Sequence, residues 1–149
     1  MKIEKVIQQT QFESEYHKAS INLVFTGSWF LSKVSKRLRE FEISQQQFNI
    51  LRILRGANKA LSVKELANRM LDPASNASRL VDKLLEKGLV ERKISKKDRR
   101  QVEVLITSKG LEIVNRASVV VRAIVEQIFS NLKEDEAKEL SRILDLLRD

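Results

Sequence analysis

The chain contains no cysteine, which removes a disulfide framework, a thiolate zinc site and a thiol redox sensor together. A single histidine leaves no imidazole cluster for a dedicated zinc site either, and no metal or other cofactor is expected. One proline and four glycines among 149 residues argue against a loop-rich or sandwich fold. Aromatics are sparse at 5%, but a hydrophobic content of 42% is enough for a core. No apolar run approaches the ~20 residues of a membrane span. Met1 to Ser20 also lacks the apolar stretch of a signal peptide. Secretion and membrane spanning are therefore not expected, and a cytoplasmic place fits. There is no Gly-rich phosphate loop, no nucleophile elbow and no paired His/carboxylate spacing, so an enzyme is not expected.

Charged residues at 32%, Leu-rich stretches and scarce helix breakers point to a mainly α, α+β fold. The length suits one compact domain or two interlocked small ones. Net charge is +8, and its distribution says more than its total. Residues 87–100 carry seven basic side chains (Lys87, Arg92, Lys93, Lys96, Lys97, Arg99, Arg100) against Glu91 and Asp98, a net +5. Residues 101–149 are net −2. Such local concentration fits a directed phosphate contact better than general solubility.

Residues 1–15 read as a frayed start. A long helix follows from about Tyr16 to Glu40, with Leu23, Phe30, Val34, Leu38 and Phe41 on one stripe. Ser44 and Gln47 form a capping-box pattern for a helix expected to stop at Gly56. Ser62 and Glu65 repeat that pattern before a two-turn helix with Val63, Leu66, Ala67 and Met70 on its apolar face. Asp72-Pro73 reads as the start of a helix running to Lys87, with Asp72 as cap and Pro73 in the first helical position. Its buried stripe is Ala77, Leu80, Val81, Leu84 and Leu85, and Gly88 ends it. Leu89 to Ser95 and Gln101 to Ile106 read as a hairpin. Arg92 sits oddly on the face of Val90 and Ile94. Thr107 caps a long helix to about Asn131, and a last helix from about Lys133 carries Leu140, Ile143, Leu144 and Leu147.

Two lobes follow from this layout. Residues 43–107 form a small α+β unit with the outline of a winged helix-turn-helix. Residues 1–42 and 108–149 supply three amphipathic helices that a unit this small cannot cover. A second copy is the simplest cover, which makes the outer lobe a helical dimerisation lobe.

On the helix from Pro73, the face away from the apolar stripe holds Ser75, Arg79, Asp82, Lys83 and Glu86, with Asn76 on its flank. Its N-terminal half is polar or basic, as a major-groove reader requires. Ser75, Asn76, Ser78 and Arg79 are the candidates for base edges and backbone. Arg suits guanine and Asn suits adenine through a two-bond fork. At the hairpin tip, Lys96 and Lys97 suit phosphates, and Arg99 or Arg100 suits a minor groove. Asp98 reads as an organiser of the tip, accepting backbone N–H groups or pairing with an Arg. A solvated helix face and a Lys-rich soluble turn are the bland readings of the same residues.

These segments resemble the MarR-type winged helix-turn-helix transcriptional regulators. The resemblance covers nearly the whole chain and is strongest from Ser44 to Gly110. It rests on Leu66-Ala67, on Ala77-Ser78-Arg79-Leu80-Val81-Asp82-Lys83-Leu84, and on Lys87-Gly88-Leu89-Val90-Glu91-Arg92. Asp98-Arg99-Arg100 and Thr107-Ser108-Lys109-Gly110 complete it. It implies a homodimer joined through its terminal helices, bound to a pseudo-palindromic operator on double-stranded DNA. The usual role is a repressor released by a small molecule. It assigns Ser75, Asn76, Ser78 and Arg79 to the recognition helix, Arg100 to the wing arginine and Asp98 to the wing aspartate; Lys83, on the same polar helix face, is a further DNA-binding candidate. Met70-Leu71-Asp72-Pro73 lacks the small residue or glycine often found in the family's turn, which leaves the helix start open by about a residue.

The resemblance also implies a cleft for a small aromatic or anionic effector. Tyr16, His17, Trp29, Phe30, Arg52 and Arg55 are its possible walls and anion clamp. Packing is the plainer role for Trp29 and Phe30, and a surface or interface position the plainer one for His17. A winged-helix dimer that serves protein contacts without specific DNA binding is the alternative.

Overall fold

The computed structural model describes residues 1–95 and 102–149. The wing-tip residues Lys96, Lys97, Asp98, Arg99 and Arg100 lie outside the described residues.

The architecture is mainly helical, with a small antiparallel sheet. A short helix α1 (Ile3–Val6) precedes the long α2 (Glu15–Leu38), which ends in a 3-10 turn (Arg39–Phe41). Then come α3 (Gln45–Ala57), β1 (Leu61–Ser62), α4 (Val63–Ala67) and α5 (Ala77–Glu86). The hairpin β2 (Val90–Ile94) and β3 (Val102–Ile106) leads into α6 (Ser108–Phe129) and α7 (Glu134–Leu146). Strand order is β1-β3-β2, with Leu61 opposite Val104 and Ile94 opposite Val102.

Local chemistry fixes most boundaries. Ser44 accepts the Gln47 N–H at 3.1 Å while Gln47 Oε1 accepts the Ser44 N–H at 3.0 Å, and Ser62 with Glu65 makes the same reciprocal pair. The Thr107 hydroxyl oxygen accepts the Gly110 N–H. At the end of α5 the Leu89 N–H reaches Leu84 O and the Gly88 N–H reaches Leu85 O, both at 2.9 Å. This closure needs a left-handed residue, and Gly88 takes φ +68°. Gly110 is required for another reason. A Cβ there would stand 2.1 Å from the Leu89 carbonyl oxygen, so only glycine lets α6 start against the wing's first strand.

Several expectations need correction. The first residues are not frayed throughout: α1 buries Ile3, and Glu4 pairs with Lys18 at 2.6 Å. Gly56 does not stop α3, which runs to Ala57 with Asn58 in the left-handed region at φ 49°. The strand β1 has no counterpart in the sequence pattern, because two residues carry no alternation and are held by β3 across the fold. The helix expected from Pro73 starts at Ala77, with Asn76 as its cap. Asp72 instead spends its carboxylate locally, accepting from the Ala74 N–H at 3.1 Å and the Ser75 hydroxyl at 3.0 Å. The Ser75 N–H also reaches Asp72 O at 3.1 Å, so Pro73 occupies the second place of a β-turn rather than a first helical position.

One buried cluster runs through the whole fold. Leu51, Leu54, Leu61, Leu66, Val81, Leu84 and Val104 form its centre, and Val34, Leu38, Val114 and Ala117 join it from α2 and α6. The 43–107 unit and the terminal helices therefore share a core. That core holds α5 by Val81 and Leu84 and leaves its opposite side in solvent.

Candidate nucleic-acid interface

Helix α4, the turn at 68–76 and α5 form a helix-turn-helix, with the β2–β3 hairpin beside it. α5 exposes Ser78, Arg79, Asp82 and Lys83 on the side away from the core. Asn76 stands just before it and accepts the Arg79 N–H at 3.0 Å through its side-chain oxygen. This anchors the first turn and leaves the Arg79 guanidinium pointing outward, with no carboxylate partner among the described residues. Ser75 lies in the turn, half-buried and bonded to Asp72. Of the residues expected to read DNA, Ser78, Arg79 and Lys83 thus share the free helix face, and Asn76 and Ser75 shape its approach. The N-terminal end of a helix also offers free N–H groups and a partial positive charge to a phosphate.

Arg92, the basic residue on the apolar face of β2, has a role that sequence reasoning missed. Its guanidinium donates to Asp82 Oδ1 on α5. The pair is about half exposed, at 46% and 51%, so its share of stability is small. Its use is electrostatic and geometric. It neutralises an acid on the outward face of α5 and ties that helix to the strand leading into the wing. An interrupted alternation facing a helix with an unpaired acid was the signal available. Lys87 is also used internally: its Nζ donates to Glu42 O and to Gln47 Oε1. Two of the seven cations in the 87–100 segment are thereby committed to the fold, while Lys93 is exposed.

The six residues expected around an effector are not gathered at one cavity. Tyr16 is exposed at the start of α2, and His17 Nδ1 accepts the Glu13 N–H at 3.4 Å. Trp29 lies thirteen residues further along the same helix than Tyr16, about 20 Å at 1.5 Å per residue. Phe30 packs edge-on against Phe129, with ring centroids 6.4 Å apart. The Arg52 guanidinium sits 6.0 Å from the Phe48 ring centroid. The Arg55 guanidinium bonds Asn115 and Ser118 on α6. Trp29 alone of the six lines the 700 Å³ groove between α2 and α6, with Lys33, Lys36 and Arg37 on one wall and Val120, Ile124 and Ile128 on the other. Among the described residues no cluster of three His, Cys, Asp or Glu is placed to hold a metal ion.

Comparison with known proteins agrees with this architecture. The MarR family model matches residues 41–101, from the end of the 3-10 turn after α2 to just before β3. The HTH-type transcriptional regulator PecS of Dickeya dadantii (strain 3937) is 30% identical over 116 residues, covering 74% of this chain and 68% of PecS. The crystal structure of a MarR transcription factor from Planctomyces limnophilus is similar with TM-score 0.68 and 32% identity, covering 91% of this chain and 99% of that one. A mutant MarR from E. coli, complexed with operator DNA, has the same fold at TM-score 0.79 and 22% identity, over 93% of this chain and 99% of that one. The chain belongs to the MarR family of winged helix-turn-helix proteins. It is a DNA-binding transcriptional regulator and not an enzyme. No helix among the described residues is long and apolar enough to cross a membrane.

Proposed function

We propose that two copies of this chain join through their terminal helices and read a pseudo-palindromic operator, repressing transcription until a small aromatic or anionic effector releases them. The observation that carries this is the outward face of α5. Arg79 is free to fork onto a base edge, Ser78 and Lys83 flank it, and Asp82 is neutralised by Arg92. Asn76 holds the helix end at which a recognition helix enters the major groove. Lys96, Lys97, Arg99 and Arg100 extend the contact as a wing, with Asp98 organising it; this part rests on the sequence alone. Such a protein works beside the DNA, in the cytoplasm.

The dimer is supported by apolar side chains left uncovered. α7 buries none of its residues, and Leu140, Ile143 and Leu146 on it are 40%, 44% and 58% exposed. Leu23, Val24, Trp29 and Leu31 on α2 are exposed as well. A second copy laid against these helices would take these large apolar side chains out of water. Residues 1–42 and 108–149 thus serve as the dimerisation lobe and 43–107 as the reading lobe, a division of labour across one shared core. For the effector, the groove beside Trp29 offers an aromatic wall and three cations, which suits an aromatic carboxylate.

Selection of bound sequences from a random duplex pool tests the reading. An operator reader enriches a two-fold symmetric sequence. A winged-helix dimer built for protein contacts enriches nothing, and its DNA binding stays weak and sequence-blind.

A further inference from the structure

The geometry points to Arg55 as the residue that sets the angle between the reading lobe and the long helix α6, and so the half-site spacing the dimer accepts. This inference rests on the dimeric operator reading above. Arg55 lies in the last turn of α3, inside the reading lobe. Its Nη1 donates to Asn115 Oδ1 at 2.9 Å and to Ser118 Oγ at 3.0 Å, both on α6. Both hydrogens of one guanidinium nitrogen are therefore used, on acceptors one helical turn apart on the same face. The Ser118 hydroxyl donates its own proton to Val114 O at 2.6 Å, which turns its lone pairs toward Arg55. Both Nη1 hydrogens of Arg55 and the Ser118 hydroxyl proton thus have a defined acceptor.

The rest of the α3–α6 contact is apolar. Leu51 and Leu54 on α3 share a buried cluster with Val114 and Ala117 on α6. Apolar contact is non-directional and resists separation better than rolling or sliding. A planar guanidinium bonded at two points resists both. Among the described residues no carboxylate pairs with Arg55, so its charge-assisted bonds go to neutral acceptors that keep their place on the helix. In a dimer, a small change in this angle moves the two α5 helices along the duplex. Their separation must match half-sites about one helical turn apart, or a multiple of that.

Arg55→Met keeps the apolar stem and removes the donors. Ser118→Ala with Asn115→Ala removes the acceptors and leaves Arg55 in place. Each variant is offered duplexes carrying the selected half-sites at the native spacing and at one base pair more or less. Dimer mass and thermal midpoint are recorded alongside. Wild type discriminates among the spacings. In both variants that discrimination falls roughly tenfold, the scale of one charge-assisted hydrogen bond, with affinity for a single half-site unchanged. Combining the changes adds little, because all act on one network. Variants that lose thermal stability but keep the wild-type spacing profile would overturn the inference, leaving Arg55 a packing residue. A wild-type chain that enriched no symmetric sequence would instead remove the operator reading, and the role of Arg55 with it.

Discussion

Between Ile43 and Ile106 the large apolar side chains that turn inward find cover within the chain: Leu51, Leu61, Leu66, Val81, Leu84 and Val104 are fully buried. Along α7 nothing is buried. The contrast is not one of helix-forming tendency. α7 has acids in its first turn and an Arg142–Glu139 pair at 2.7 Å, while α4 is only five residues long. Isolated helices of either length are marginal in water, and tertiary packing supplies most of a helix's stability. α4 has that packing through Leu66, and α7 in a single copy does not. The centre of the 43–107 unit is sealed within one chain, with help from Val34 and Leu38 of α2 and Val114 and Ala117 of α6; the apolar face of α7 is left open.

The sharpest way to break this contrast is to attack each side. Leu84→Ala opens the sealed core and is expected to cost about 2–5 kcal/mol in urea unfolding. Charging the open face with Leu140→Asp and Ile143→Asp is expected to leave the reading lobe folded. It should raise the dimer dissociation constant by about 100-fold or more, because a buried interface does not tolerate unpaired carboxylates. Sedimentation reads this as a fall from about twice the 17.2 kDa chain mass to that mass itself. A double variant that remained dimeric would place the dimer contact elsewhere.

Smaller effects follow on the reading side. Arg79→Ala is expected to lose about 1–3 kcal/mol of discrimination between operator and random duplex, with non-specific affinity little changed. Ser62→Ala removes the cap of α4 and is expected to cost about 1 kcal/mol in unfolding. Its partner Glu65 adds a pH dependence. The Ser62 backbone N–H and hydroxyl hold the Glu65 carboxyl below its ordinary value. A carboxyl depressed in the folded state stabilises at pH above its unfolded value, and that stability is lost as pH falls through the folded one. The stability gap between wild type and Glu65→Gln should therefore close in acid.

What the sequence shows well is whatever is decided within a few residues. The Ser44–Gln47 and Ser62–Glu65 boxes, the Thr107 cap and the Gly88 stop each need partners no more than five positions away, and the structure forms all of them. The start of α5 is also local, yet it falls at Ala77 rather than at Pro73. Asp72 and Asn76 both suit a helix cap, and Asp72 has a competing turn available through Ala74 and Ser75. β1 and the Arg92–Asp82 pair are decided by distant partners, so pattern alone does not reveal them. At the site, the outward placement of Ser78, Arg79 and Lys83 is legible from helical periodicity. The scatter of the six effector candidates is not, because no periodicity says which side of α2 meets α3 or α6.

The most direct measurement is the ratio of affinities for the selected duplex and a scrambled one of equal length, at physiological salt. A dimer reading base edges through α5 should bind its operator at least ~10³-fold more tightly than the scrambled duplex. Equal affinity for the two, at any salt concentration, would contradict it.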